Sequence, residues 1–169
     1  MALSDLASIA TIAEAIFVIV SVFLIWHEVR ENTKLTKAAN TQALVELSSP
    51  FNMQLIQDRK MAEFWVQGAK EFAQMDEVDR YRYNSLLVWW LILHENIYYQ
   101  WRKGLLDNNT YEVWARDLEN FVSEQNLELY WGEMKIYVQS EFANRIHQLI
   151  EKLGARELGA GERGTVTES

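Results

Sequence analysis

The chain has no cysteine and a single proline among its 169 residues. Without cysteine there is no disulfide framework, no thiolate metal site and no Cys nucleophile. Before the C-terminal segment, glycine occurs only as Gly68, Gly104 and Gly132. A strand-rich fold needs more turn residues than that, so the expected class is all-α. Clustered Lys and Arg are missing as well. At a net charge of −8, no surface suits a phosphate backbone, and no nucleic-acid partner is expected. Aromatic residues are plentiful instead: seven each of Trp, Tyr and Phe supply large side chains for a core.

One long apolar run is present, LASIATIAEAIFVIVSVFLIW from Leu6 to Trp26. At ~1.5 Å per residue it spans roughly 30 Å, about one hydrocarbon core, so a single transmembrane helix is expected. A cleaved signal peptide would carry a basic start and a small-residue cleavage site; the flanks here read MALSDL and WHEVRENTK. Trp26 suits a membrane interface. Arg30, Lys34 and Lys37 follow the run and no cation precedes it, which places the N-terminus outside and the rest in the cytoplasm.

Glu14 is the one charge-capable side chain in that run. An ionisable group at bilayer depth costs on the order of 3 kcal/mol and usually faces protein or water. No glycine or proline interrupts the chain from there to Pro50, so the helix should continue past the membrane surface. Read in sevens, one face carries Ala7, Glu14, Ser21, Glu28, Leu35 and Gln42, flanked by Ala10, Phe17, Leu24, Glu31, Ala38 and Val45. Small and polar residues on one face are what helix contacts in lipid use. Ala7, Ala10, Glu14, Phe17, Ser21, Leu24 and Glu28 are therefore the expected oligomer or pore face.

Beyond the anchor the pattern implies an antiparallel helical bundle over residues 50–153. Ser49 and Pro50 read as a cap and first helical residue, which ends the membrane and juxtamembrane helix at 49. Asp58 caps a short helix carrying Met61, Phe64, Trp65 and Phe72. Asp76 caps a long one from Glu77 to Lys103, closed by Gly104 as a left-handed terminator. Helices near 110–124, 127–137 and 141–153 follow. Four glycines after Leu153 and little apolar content imply a disordered tail over residues 154–169.

Motifs for chemistry are scarce. His94-Glu95 begins like a zinc-protease helix, but Tyr98 stands where the second His belongs. No Glu-x-x-His pair, G-x-S-x-G elbow or glycine-rich phosphate loop occurs. No metal, cofactor or catalytic residue is expected. His94, Glu95, Asn96 and Tyr98, with Tyr99 and Gln100, form a polar cluster whose simplest role is a buried hydrogen-bond network between helices.

Glu14, HEVRENTKLTKAA (27–39), AEFWVQGAKE (62–71), HENIYYQWRKGLLD (94–107) and the segment around Trp131 resemble a family of uncharacterised, mostly proteobacterial proteins. These have one N-terminal membrane helix, ending in a pattern like Q-x-R-x-N-T, before a helical domain. The likeness runs to about Leu153, with HEVRENT in place of the Gln-led form. It implies a bacterial inner-membrane anchor and a cytoplasmic all-helical domain, and it implies no activity.

The expected function is a non-catalytic scaffold or assembly protein held in the lipid bilayer, acting as a homo-oligomer. Two alternatives need the same polar face: an oligomeric cation pore, or an accessory subunit bound to another membrane protein.

Overall fold

The computed structural model describes the backbone of residues 3–164 and the side chains of residues 11–155. Among these residues there are six α-helices and no strand: α1 (Leu3–Gln57), α2 (Arg59–Glu71), α3 (Glu77–Arg102), α4 (Asn108–Glu124), α5 (Trp131–Met134) and α6 (Ser140–Gly164). The fold is all-α.

α1 is the one described helix long and apolar enough to cross a membrane; from Thr11 its mean hydropathy reaches 2.0 over a stretch with nothing buried. It does not end at Ser49, as the Ser-Pro signal implied. Pro50 lies inside it. An interior proline cannot donate to the carbonyl four residues back, and costs about 3 kcal/mol in a helix. Packing outweighs that cost, because Leu44, Ser48 and Phe51 are all buried against the bundle. The Ser48 and Ser49 hydroxyls both donate to the Val45 carbonyl, at 3.2 and 2.6 Å. The end comes at Asp58, whose carboxylate accepts from the Lys60 and Met61 N–H groups and starts α2. The segment from Leu44 to Gln57 thus belongs to the bundle, and a boundary at residue 49 does not describe it.

The other expected caps form. Asp76 accepts from the Asp79 N–H at 2.9 Å and starts α3. Gly104, at φ +71°, turns the chain after α3, and Asp107 caps α4 through the Thr110 N–H. The continuous helix expected over 127–137 does not form. Asn126 takes a left-handed conformation at φ 50°, with its Nδ2 donating to the Ala69 carbonyl at 2.8 Å. Short 3₁₀ turns at Leu127–Leu129 and Lys135–Tyr137 flank the one-turn α5. The disordered tail is corrected too, since α6 stays helical to Gly164. Ala155, Arg156, Glu157, Leu158 and Ala160 are good helix formers that carry it past Gly154. Residues 165–169 lie outside the described part.

α3 is the central helix. Tyr83, Leu87, Trp90, Leu91, Leu93, Ile97 and Tyr98 are buried around it, more than one face can hold. It runs antiparallel to α1, since Asn40 bonds the Leu105 carbonyl while Phe51 packs on Trp89 and Trp90. It runs antiparallel to α4 as well: Trp101 stacks on Tyr111 at one end, and Tyr83 reaches Gln125 at the other. α4 and α6 run the same way, with Arg145 beside Tyr111 and Lys152 beside Glu119. The irregular stretch from Gln125 to Gln139 carries the chain back, so the bundle is antiparallel along α1, α3 and α4, with α6 running beside α4 in the same direction.

Candidate functional site

Two places bear on function: the outward face of α1, and the polar groups of α3. On α1 the bundle claims one side, through Lys37, Thr41, Leu44, Ser48, Phe51 and Leu55. At 100° per residue, Glu14, Phe17, Ser21, Leu24 and Glu28 lie roughly 150° around the helix from that side. They share a face that nothing among the described residues covers: Phe17 is 75% exposed and Leu24 60%. The Ser21 hydroxyl donates to the Phe17 carbonyl at 2.8 Å. Ala7 and Ala10 precede the described side chains.

The same face continues past the apolar run, where Leu35 is exposed at 67%. Between His27 and Thr36 every side chain is exposed. Glu31 pairs with Lys34 at 2.6 Å along the helix, and that ammonium holds the carboxyl below its usual range.

The polar cluster of α3 is not one network. Successive residues on a helix point about 100° apart, so its members meet different neighbours. His94 is buried and faces α4. Glu95 accepts from the Gln139 N–H at 2.6 Å and tethers the chain just before α6. Asn96 is exposed and takes a bond from Gln100. Tyr98 donates to Glu141 of α6 at 2.8 Å, and Arg102 braces both groups.

The partner of His94 is Asp117, which the sequence analysis did not single out. Nε2 and Asp117 Oδ2 stand 3.1 Å apart, close enough for an ion pair yet misaligned for a hydrogen bond. Both atoms are shut from solvent. Nδ1 lies 3.0 Å from the Trp90 carbonyl, which can only accept, so Nδ1 carries hydrogen. Rings of Trp90, Trp114 and Phe121 enclose the imidazole. Asp117 follows Trp114 and precedes Leu118 and Phe121 on α4, and a carboxylate at the margin of an apolar helical face was the available signal.

This pair lies between α3 and α4. Asp117→Ala should remove the carboxylate oxygen 3.1 Å from the buried Nε2 and cost about 1 kcal/mol. Chemical denaturation checks it: the loss should exceed that of Glu112→Ala, an exposed neighbour expected within about 0.5 kcal/mol of the parent.

Among the described residues, no group of three or more His, Asp or Glu is placed to hold a metal ion. Comparison with protein-family models, with curated proteins and with solved structures returns no match.

Proposed function

We propose that this chain is a single-pass scaffold or assembly protein of a bacterial inner membrane that associates with copies of itself. In this reading the N-terminus lies outside, the bundle sits in the cytoplasm, and α1 meets its copies through Glu14, Ser21 and their neighbours. The carrying observation is that this polar face of α1 is uncovered and points away from the bundle. Helices can then meet along it while each bundle hangs outward without collision. Trp26 lies at the membrane edge, where the Arg30 guanidinium sits 5.4 Å over its ring. An amphipathic ring capped by a cation suits the headgroup layer.

Polar contacts between helices in lipid contribute about 1–2 kcal/mol each, roughly five- to thirtyfold in an association constant. Glu14→Ala should therefore shift the protein in gentle detergent towards monomer by about that factor. Native mass measurement reads it out, and a parent protein that is monomeric throughout sinks the proposal. A cation pore is the second reading, favoured by two carboxylates, Glu14 and Glu28, on one uncovered face. Conductance altered by Glu14→Gln would select it. If instead native isolation returns α1 bound to a different membrane protein, the face serves as an accessory subunit's contact.

A further inference from the structure

We propose that the groove between α4 and α6 binds a small oxyanion-bearing solute, a phosphate or carboxylate compound, on Arg145 and Arg116. The groove is open to solvent and holds about 430 Å³. Its charged walls are Arg116, Arg145 and Lys152 against Glu112 and Glu119. Lys152 is already paired with Glu119 at 3.2 Å. Among the described residues neither Arg116 nor Arg145 has a carboxylate within 4.0 Å or a hydrogen bond from its guanidinium.

Arg145 is partly buried and held in place. Its guanidinium lies over the rings of Tyr98 and Tyr111, at 5.4 and 5.7 Å. Attraction to a ring face uses charge and consumes no N–H, so the donors of Arg145 stay open to a ligand. A guanidinium fork matches a carboxylate or phosphate edge, and two forks in one groove can grip two oxygens each. The net charge of −8 does not prevent this, because charges beyond ~10 Å are largely screened at physiological salt. Within the groove the balance is one positive charge, which a single anionic group neutralises.

A lipid headgroup carries the same chemistry, but height argues for a free solute. Tyr111 and Arg145 are level with α1 near Leu44, roughly 25 Å along the helix from Trp26. A headgroup layer is only about 5–8 Å deep.

The test is calorimetric titration of the full chain, in phosphatidylcholine nanodiscs, with inorganic pyrophosphate and separately with succinate. Saturable binding of at least one is expected. Arg116→Gln, at an exposed position, should weaken it about tenfold, as loss of a charge-assisted bond does. Arg145→Lys should weaken it too, because it keeps a cation over the two rings while removing the fork. Lys103→Gln, an exposed cation outside the groove, should leave binding unchanged. No saturable binding of either anion, or equal weakening by Lys103→Gln, overturns the site. A fall in affinity in phosphatidylglycerol nanodiscs that Arg116→Gln abolishes would overturn the free-solute assignment and make the headgroup the ligand.

Discussion

Gly68→Ala is expected to lower the stability of the bundle by roughly 2–3 kcal/mol, and its melting temperature by about 5–10 °C. Gly68 lies within α2 against the ring of Tyr83. A Cβ there would overlap Cδ2 and Cε2 of that ring and sit 2.6 Å from Cζ. Flexible neighbours can yield to such an atom, but Tyr83 cannot. It is fully buried, with Phe64, Trp65 and Phe72 around its ring, and its hydroxyl donates to the buried Gln125 at 2.5 Å. Burial pushes that hydroxyl well above the usual phenol range, so it remains a donor across physiological pH.

Two effects compete at this position. Alanine gains about 1 kcal/mol of helix propensity over glycine, while overpacking a rigid core costs about 1–3 kcal/mol and occasionally more. The overlap with a ring fixed at both ends puts the cost at the upper end, and it wins. Gly132→Ala is the matched control, since no packing neighbour beyond its own turn of chain lies within 4 Å of the added Cβ. It should hold or slightly raise the melting temperature. A Gly68→Ala protein that melts with the parent would show that the ring moves freely.

Leu44→Asp is expected to detach α1 from the bundle. Leu44 is 0% exposed, on the α1 face that meets the bundle. Losing the side chain costs about 2–5 kcal/mol, and an unpaired carboxylate in its place adds several more. Their sum is comparable with the whole stability of a domain of this size, about 5–15 kcal/mol. Limited proteolysis should then open the chain around Gln57 and Asp58, where the parent resists. Val45→Asp, one residue along, gives the opposite pattern. Val45 is 54% exposed, so this variant should keep the parent's melting behaviour. If Val45→Asp unfolds and Leu44→Asp does not, the docking face of α1 has been assigned to the wrong side.

Neighbouring residues with opposite fates mark how far a sequence can be read. The 3.6-residue pattern along α1 identified a helix, and Leu44 and Val45 were both apolar continuations of it. Periodicity names the faces of a helix without saying which partner each face meets. The same holds for His94 through Tyr98: composition marked them as polar groups in an apolar helix, and the 100° step then sent them to separate neighbours. Asp117 drew no notice because nothing local ties it to His94 across the α3–α4 hairpin. Gly68 read as an isolated glycine because the ring it accommodates lies in another helix.

Signals carried by consecutive residues held on their own. The apolar run with its single carboxylate, the caps at Asp58 and Asp76, the left-handed turn at Gly104 and the all-α class rest on backbone hydrogen bonds within a few positions of each other. Where a local rule met a packing term of similar size, the tertiary structure decided. Pro50 stays helical because burial of Leu44, Ser48 and Phe51 outweighs one lost hydrogen bond. Asn126 turns left-handed before residue 127 with its side chain bonded to Ala69 on α2, a partner that lies far off in sequence. Those contests turn on residues brought together only by folding, and no single stretch of sequence contains both sides.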